Sequence, residues 1–294
     1  MEEQQRILFV LNPIAGKKGS SLWRQGIQQF FENSIHAFDW FLTTGTDDLS
    51  KLQYAITKYA PQKVACIGGD GTLSLVAKAL IGTDIPITLF PAGSANGMAR
   101  ELKMPNNVEG CLAVLLQGEA KKIDTILINQ TEVCVHLSDI GMNAQLVKYF
   151  KDNDMRGKLG YAREVFRVLR KRKQIDVELQ TENGSLQRTG FMVVVANATI
   201  YGFGAKINPI GKLDDGLFEV IILKKLSVVE LLKMLFGNHP FNPQKTEIIQ
   251  AHQLTISVAK RAYFQIDGEY FGRTTKVEAT IRPLSLKMIL PRKL

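Results

Sequence analysis

The sequence has few of the features that mark a secreted or membrane-spanning protein. It opens with MEEQQR, which is polar and acidic and does not fit a secretory signal peptide. The longest uncharged apolar stretch, 189–205, contains three glycines and several polar residues, which favours a buried strand and loop over a membrane span. Cysteine is scarce, and Cys66, Cys111 and Cys134 lie far apart without the spacing of a zinc site. We therefore expect a cytoplasmic protein with reduced thiols.

The charge and the motifs of the sequence together narrow the range of partners. Lysine and arginine together number 37 against 28 acidic residues, which gives a net charge of +9. Such a charge suits nucleotide phosphates, nucleic acid or an anionic membrane surface. The sequence contains no helix-turn-helix, zinc-finger or aromatic RNA-binding signature, so we expect no nucleic-acid partner.

Strands and helices alternate over residues 1–122, which predicts an α/β domain with a doubly wound, mostly parallel sheet. Ile7–Leu11 is an apolar run without alternation, as expected for a parallel strand that is covered on both faces. The other predicted strands are His36–Leu42, Lys63–Ile67 and Ile85–Phe90, and the predicted helices are Ser21–Phe31, Leu49–Tyr59, Leu73–Ile81, a short helix from Asn96 and Val108–Leu116.

Strand-like runs dominate residues 123–283, and turns such as Asn-Gly and Asp-Gly separate several of them. This pattern predicts a second, β-rich domain, an antiparallel sandwich or open barrel, with helices over Arg156–Lys173 and Val228–Phe236. We expect residues 284–294 to return to the first domain. The predicted strands are Lys122–Asn129, Glu132–Asp139, Ile175–Thr181, Phe191–Ala198, Leu217–Leu223, Leu254–Ala259, Tyr263–Asp267, Val277–Arg282 and Leu286–Leu290.

Three strand ends in the first domain carry glycine-rich or Ser/Asn-rich loops. The first, Asn12–Ser20 (NPIAGKKGS), places Gly16 and Lys17 before a helix, without the spacing of a Walker A loop. The second is Gly68–Thr72 (GGDGT), and the third is Pro91–Arg100 (PAGSANGMAR). Each alone would also fit an ordinary turn. Because ligands of such sheets bind beyond the carboxyl ends of the strands, the three together predict one nucleotide site.

Two residues of the second loop have chemistry of their own. Asp70 lies between glycines and offers the oxygen ligand that a phosphate-bound Mg²⁺ prefers. Thr72 is expected to cap the helix that follows.

The loops occur in an order and at spacings that resemble the catalytic domain shared by diacylglycerol kinases, sphingosine kinases and the soluble bacterial lipid kinases. Three later blocks also resemble this family, namely Asp139–Ala144 (DIGMNA), Leu213–Leu217 (LDDGL) and Asp267–Glu269 (DGE). The resemblance implies a two-domain fold with the nucleotide in the cleft between the domains. It also implies ATP and Mg²⁺ as cofactors, and phosphoryl transfer to the hydroxyl of a membrane lipid such as diacylglycerol.

The resemblance further implies roles for single residues. Glu269 would be the general base on the lipid hydroxyl, and Asp70 would help to hold the Mg²⁺-bound phosphates. A second, structural Mg²⁺ would bind Asp215 and the backbone carbonyls of Lys212 and Leu217. The residues that would line the ATP site are Asn12, Gly16, Thr43, Gly68, Gly69, Asp70, Gly71, Thr72 and Ser94, to which the loop pattern adds Lys17 and Asn96.

The residues themselves leave the role of Glu269 open. An alcohol needs its proton removed as it attacks, and a carboxylate in a partly desolvated cleft can remove it. Asp267 and Gly268 fit equally well a hairpin turn after which Glu269 is merely solvated. The family pattern favours the base.

The sequence departs from the family at Gly97, where most bacterial members carry an aspartate and sphingosine-type members do not. A role of that carboxylate cannot be transferred to this chain. The missing carboxylate keeps open a catalytically silent regulator that binds lipid or nucleotide. A kinase with a soluble acceptor, such as an NAD kinase, is the other alternative, because NAD kinases also carry GGDGT, although the order of the three loops and the late DGE argue against it.

The predicted helix Arg156–Lys173 is the candidate contact with a membrane. Its apolar residues recur on one side, and Arg163, Arg167 and Arg170 form a basic stripe beside them. Each cation near an anionic leaflet contributes about 1 kcal/mol. A solvated helix that packs its apolar side on the sheet fits the same pattern. We expect transient, peripheral membrane contact, and we leave a homodimer open.

Overall fold

The computed structural model describes residues 3–16, 19–32, 34–152, 173–201, 205–225 and 242–292. The chain divides into two compact units. The N-terminal unit comprises residues 1–123 and 284–294, and the C-terminal unit comprises residues 124–283. The predicted helices Arg156–Lys173 and Val228–Phe236 lie outside the described residues, apart from Lys173. In the part of the chain that the structure describes, no helix is long and apolar enough to cross a bilayer.

The N-terminal unit contains a parallel sheet in the order β4-β3-β1-β2. Its strands are β1 (Arg6–Leu11), β2 (Ala37–Leu42), β3 (Lys63–Gly68) and β4 (Ile87–Pro91), and its helices are α1 (Gly19–Phe31), α2 (Asp48–Tyr59), α3 (Asp70–Leu80), α4 (Gly97–Glu101) and α5 (Val108–Gln117). Leu11 at the end of β1 lies level with Leu42 and Ile67, so the carboxyl ends of three strands meet at one edge.

An aromatic cluster holds this sheet to its covering helices. Phe9 on the central strand β1 is fully buried, as expected for a parallel strand that is covered on both faces. Its ring centroid lies 5.6 Å from that of Phe31 on α1, 5.1 Å from that of Trp40 on β2 and 6.1 Å from that of Phe90 on β4. These contacts join β1 to β2, to β4 and to α1.

The C-terminal unit is built mainly of antiparallel strands. The order β14-β13-β10-β7-β15-β16 forms one run, and β9 pairs with β8, which pairs with β15. The elements are β5 (Glu119–Ile128), β6 (Glu132–Cys134), β7 (Leu137–Gly141), α6 (Met142–Asp152), β8 (Ile175–Thr181), β9 (Gly184–Gly190), β10 (Met192–Ala196), β11 (Ile200–Tyr201), β12 (Ala205–Lys206), β13 (Phe218–Leu223), β14 (Thr246–Ala251), β15 (Gln253–Ile266) and β16 (Glu269–Leu290). Its core is a cluster of buried aliphatic side chains with Phe218 and Phe264.

Two strands cross the boundaries of the units. β5 begins in the N-terminal unit, and β16 ends there. Within the N-terminal unit, Met288 of β16 pairs in parallel with Ile87 of β4.

The predicted fold class, with parallel strands followed by antiparallel strands, is confirmed. Several element boundaries are wrong. The expected strand Glu132–Asp139 is divided into β6 and β7. The backbone N–H groups of Val135 and His136, between the two strands, donate to the carboxylate of Asp267 instead of to a neighbouring strand. The expected strands Leu254–Ala259 and Tyr263–Asp267 are one bent strand with an irregular register. The sequence did not indicate β9, β14 or α6.

Candidate active site

The three glycine-rich loops meet at the carboxyl edge of the parallel sheet. The backbone N–H of Asn12 donates to the carbonyl of Ile67 at 3.0 Å, which joins the first loop to the end of β3. The N–H groups of Ala92 and Gly93 both donate to the carbonyl of Gly68, at 3.0 and 3.2 Å. The structure therefore brings the predicted loops together within one unit.

Thr43 lies at the same edge. Its backbone N–H donates to the carbonyl of Leu11 at 3.0 Å, so it extends the pairing of β2 with β1. Ser94, in the third loop, is exposed. Lys17, in the first loop, lies outside the described residues.

Two contacts between loops leave room only for glycine. Gly16 has φ +54°, and a Cβ atom there would lie 2.5 Å from the carbonyl oxygen of Ala92. A Cβ atom on Gly93 would lie 2.5 Å from the Cα atom of Gly69. The meeting point is therefore lined with bare backbone, which is what close approach to a phosphate requires.

Thr72 does not cap helix α3, contrary to the prediction. The helix begins at Asp70, with Gly69 as its N-cap and no side chain bonded to the cap position. Thr72 is buried in the first turn, where its Oγ1 accepts a hydrogen bond from Nδ2 of Asn12 at 3.3 Å. The hydroxyl thus joins the first loop to the second. Gly71, in the same turn, is half-buried.

The carboxylate of Asp70 binds backbone of the third loop, which the sequence did not indicate. Its Oδ2 accepts from the N–H of Gly97 and its Oδ1 accepts from the N–H of Met98, both at 2.9 Å. These N–H groups open helix α4, so the carboxylate caps that helix. Each carboxylate oxygen keeps a second lone pair, so the same side chain can still contact a metal ion.

Asn96 carries a buried acceptor that has no partner. Its backbone is left-handed, with φ +50°, and its Nδ2 donates to the carbonyl of Gly93 at 2.9 Å. Its Oδ1 is buried without a hydrogen bond. Buried unsatisfied oxygens are rare and destabilising. A donor group or metal ion of a bound ligand would satisfy this one.

In the C-terminal unit, Glu269 follows a two-residue hairpin turn. Asp267 and Gly268 both have positive φ, at +47° and +83°, and Ile266 pairs directly with Glu269. Glu269 is exposed at the start of β16. The hairpin prediction from Asp267–Gly268 is therefore correct.

Asp267 is buried, and its carboxylate anchors this turn. It accepts hydrogen bonds from the backbone N–H groups of Val135 and His136 at 2.9 Å and of Leu137 at 3.1 Å. The bonds from Val135 and His136 occupy the backbone between β6 and β7, so no strand forms there. Only the Asp-Gly turn was visible in the sequence, because the partners lie far away along the chain.

Asp124 forms hydrogen bonds with the backbone of the predicted metal loop, Leu213–Leu217. Asp124 is buried, its Oδ2 accepts from the N–H of Gly216 at 2.7 Å, and its own N–H donates to the carbonyl of Leu213 at 2.6 Å. Asp215 is exposed, and its Oδ1 accepts from the N–H of Leu217 at 3.2 Å.

A metal ion at this loop would depend on backbone oxygens. Among the described residues, no group of three or more His, Cys, Asp or Glu side chains could hold a metal ion. Asp215 together with the carbonyls of Lys212 and Leu217 would form an all-oxygen donor set, and oxygen donors suit Mg²⁺.

The three cysteines are free and buried, as expected. Burial raises the pKa of the Cys111 thiol to about 12. Burial also raises the pKa of Cys134, and the neighbouring Asp267 carboxylate adds to the effect. These thiols are protonated at neutral pH, so they cannot serve as nucleophiles.

Comparison with known families identifies the class of protein. Residues 6–128 match the diacylglycerol kinase catalytic domain, and residues 138–290 match the YegS C-terminal NAD kinase beta sandwich-like domain. The protein is therefore a phosphotransferase of the kinase type. It belongs to the family that combines these two domains, which confirms the resemblance seen in its sequence.

Individual relatives agree with this assignment. A diacylglycerol kinase from Bacillus subtilis (strain 168) is 24% identical over 277 residues, which cover 91% of each protein. A diacylglycerol kinase from Staphylococcus aureus (strain bovine RF122 / ET3-1) is 26% identical over 254 residues, or 76% of this chain and 79% of that protein. The crystal structure of a diacylglycerol kinase from Bacillus anthracis str. Sterne has a TM-score of 0.74 at 16% identity and covers 99% of both chains, which shows a shared fold.

Proposed function

We propose that the protein transfers the γ-phosphoryl group of ATP to the hydroxyl of a diacylglycerol-like lipid, with Mg²⁺ as a cofactor. The observation that carries the proposal is the meeting of three loops, lined with bare backbone, at one edge of a parallel sheet in a kinase family. The relatives named diacylglycerol kinase support the choice of acceptor.

The loops of the N-terminal unit would bind the nucleotide. Gly16, Gly69 and Gly93 present backbone against which a triphosphate can lie, and Oδ1 of Asn96 lacks the partner that a ligand would supply. Asp70 holds the third loop in place through α4 and keeps lone pairs for a cation. When bound, ATP would supply the phosphoryl group, and Mg²⁺ would neutralise its charge.

Glu269 would remove the proton from the acceptor hydroxyl. It is exposed to a ligand, and the buried carboxylate of Asp267 fixes the turn that precedes it. A base that directly follows a fixed turn keeps its position as the alcohol approaches. The positioning of the reacting groups is the main requirement in phosphoryl transfer. Asp215 and the carbonyls of Lys212 and Leu217 would hold a structural Mg²⁺.

The proposal is tested with purified protein, labelled ATP and Mg²⁺. The acceptors are mixed micelles of diacylglycerol, monoacylglycerol, sphingosine, ceramide or phosphatidylglycerol, with NAD as a soluble acceptor. We expect label in diacylglycerol and a loss of at least about 100-fold in the Glu269→Gln variant. Glu278→Gln, which changes another carboxylate of β16, is the matched control and should keep the activity.

Other outcomes would replace the proposal. Label in NAD alone would identify a kinase with a soluble acceptor. ATP binding without transfer to any acceptor would identify a silent regulator. Equal activity of Glu269→Gln and the wild type would remove Glu269 from the role of base.

A further inference from the structure

Two cations and two tyrosines cluster on the C-terminal unit. Nζ of Lys148 on α6 lies 5.8 Å from the ring centroid of Tyr263 and 5.9 Å from that of Tyr270. The guanidinium carbon of Arg273 lies 5.1 Å from the ring centroid of Tyr263. The two ring centroids are 6.2 Å apart. We name these four residues the cation–tyrosine cluster.

The charge of Arg273 is not neutralised by a carboxylate within the described residues. The partners of its guanidinium there are the ring of Tyr263 and the carbonyl oxygen of Arg261, which accepts a hydrogen bond at 2.7 Å. Arg261 and Arg273 are both exposed. The acids of the same strand are Glu269 and Glu278, and Glu278 forms an ion pair with Lys276.

The chemistry of the cluster fits the surface of an anionic bilayer. Tyrosine has an apolar ring and a polar tip, and it concentrates at the depth of lipid headgroups. Both tyrosines are half-buried. Arginine and lysine attract anionic headgroups, and arginine binds phosphate with two parallel hydrogen bonds.

We propose that the cation–tyrosine cluster docks the protein on a bilayer that contains anionic phospholipid. The inference rests on the proposed function, because a lipid kinase must collect its acceptor from a membrane. Tyr270 directly follows Glu269, so docking here brings the start of β16 to the lipid surface. The cluster shares no residue with the predicted stripe of Arg163, Arg167 and Arg170, which lies outside the described residues and stays a prediction.

The test measures co-sedimentation of the full chain with vesicles, without ATP. The vesicles contain phosphatidylcholine alone or phosphatidylcholine mixed with phosphatidylglycerol. We expect binding to the mixed vesicles only, and weaker binding as salt rises. Reversing the charge of Lys148 and Arg273 together (Lys148→Glu, Arg273→Glu) should lower the partition coefficient at least about 25-fold, because each cation contributes about fivefold.

The matched control reverses two exposed lysines of α2, Lys51→Glu with Lys58→Glu, and should change binding by less than about twofold. The conservative pair Lys148→Arg with Arg273→Lys should bind like the wild type. Near-ultraviolet circular dichroism checks that each variant is folded. A folded double reversal that binds as tightly as the wild type overturns the proposal, as does equal binding of the wild type to both vesicles.

Kinase activity on micellar lipid separates this inference from the proposed function. Phosphorylation of a micellar lipid without vesicle binding would refute the docking surface and leave the proposed function intact. Vesicle binding that depends on the cluster, without phosphorylation of any lipid, would refute the proposed function and leave the docking surface intact.

Discussion

Gly69 and Gly93 approach each other so closely that a methyl group on Gly93 would stand 2.5 Å from the Cα atom of Gly69. The contact joins the loop after β3 to the loop after β4, and it places backbone where a side chain would otherwise project. The same methyl group would lie 2.7 Å from Oδ1 of Asn96, the buried oxygen that lacks a partner. A single added carbon atom would thus disturb both the spacing of the loops and the acceptor between them.

Gly93→Ala should therefore weaken ATP binding and destabilise the protein by about 1–3 kcal/mol, the usual range for overpacking. Calorimetric titration with ATP and urea unfolding measure the two effects. Gly82→Asn is the control, because Gly82 has φ +80° and no atom within 4 Å of an added Cβ, and asparagine tolerates that backbone. Unchanged ATP affinity in a folded Gly93→Ala protein would remove this contact from the nucleotide site.

Asp70→Asn tests the cap on helix α4. The amide has the size of the carboxylate but keeps only one acceptor oxygen, so its NH₂ group must face the N–H of Gly97 or Met98. We expect a loss of about 1–3 kcal/mol in urea unfolding, together with lower kinase activity. Asp47→Asn is the control, because Asp47 makes no side-chain cap bond at the start of α2. If both variants were equally stable, the carboxylate of Asp70 would not hold the third loop.

Asp267→Asn should affect the C-terminal unit in a comparable way. The buried carboxylate accepts from three backbone N–H groups, two between β6 and β7 and one at the first residue of β7, and an amide would leave at least one of them facing an NH₂ group. We expect a loss of about 3 kcal/mol in urea unfolding. Asp176→Asn changes an exposed aspartate that binds Thr189, and it should cost less than about 0.5 kcal/mol. Similar losses in the two variants would contradict the anchoring role of Asp267.

The ion pair of Arg188 with Glu247 predicts a pH dependence of stability. The hydrogen bonds from the Arg188 side chain hold the pKa of Glu247 below its ordinary value. Because the folded-state pKa is lowered, the contribution of the pair is complete above the unfolded-state pKa and is lost as pH falls through the folded-state pKa. Arg188→Gln should lower the free energy of unfolding by about 1 kcal/mol at pH 7 and by progressively less in acid.

Urea unfolding of the wild type and Arg188→Gln over a series of pH values measures this difference. Lys58→Gln changes an exposed lysine of α2 that has no ion pair among the described residues and serves as the control, with little expected effect at any pH. A constant difference between Arg188→Gln and the wild type across the acid range would refute the linkage.

The sequence predicted the parts of the fold that depend on local pattern. The apolar runs of β1 and β3 have no alternation, and the loops after them contain glycine, so both the parallel sheet and the meeting of its loops were predictable. The start of α3 was misplaced, because Gly69 and Asp70 suggest a turn, whereas the helix begins at Asp70 with Gly69 as its N-cap.

Long-range bonds explain what the sequence could not indicate. Nothing near Val135 marks a break in a strand, since the carboxylate that occupies its N–H belongs to Asp267. In the same way, Asp139 caps α6 through the N–H of Ala144 while also accepting from Gln265, and only the fold brings that glutamine close. The cation–tyrosine cluster likewise combines residues of α6, β15 and β16 that share no motif.

The parallel pairing of Met288 with Ile87 sets an order of events during protein synthesis. Strand β4 is complete when the ribosome has passed residue 91, but the segment of β16 that pairs with it is translated only after residues 124–283 of the C-terminal unit. Until then the nascent N-terminal unit presents an open sheet edge beside a buried core, the kind of surface that pairs with other chains. The emerging chain must therefore keep this edge from aggregating throughout the translation of the whole C-terminal unit, and slow elongation prolongs that exposure.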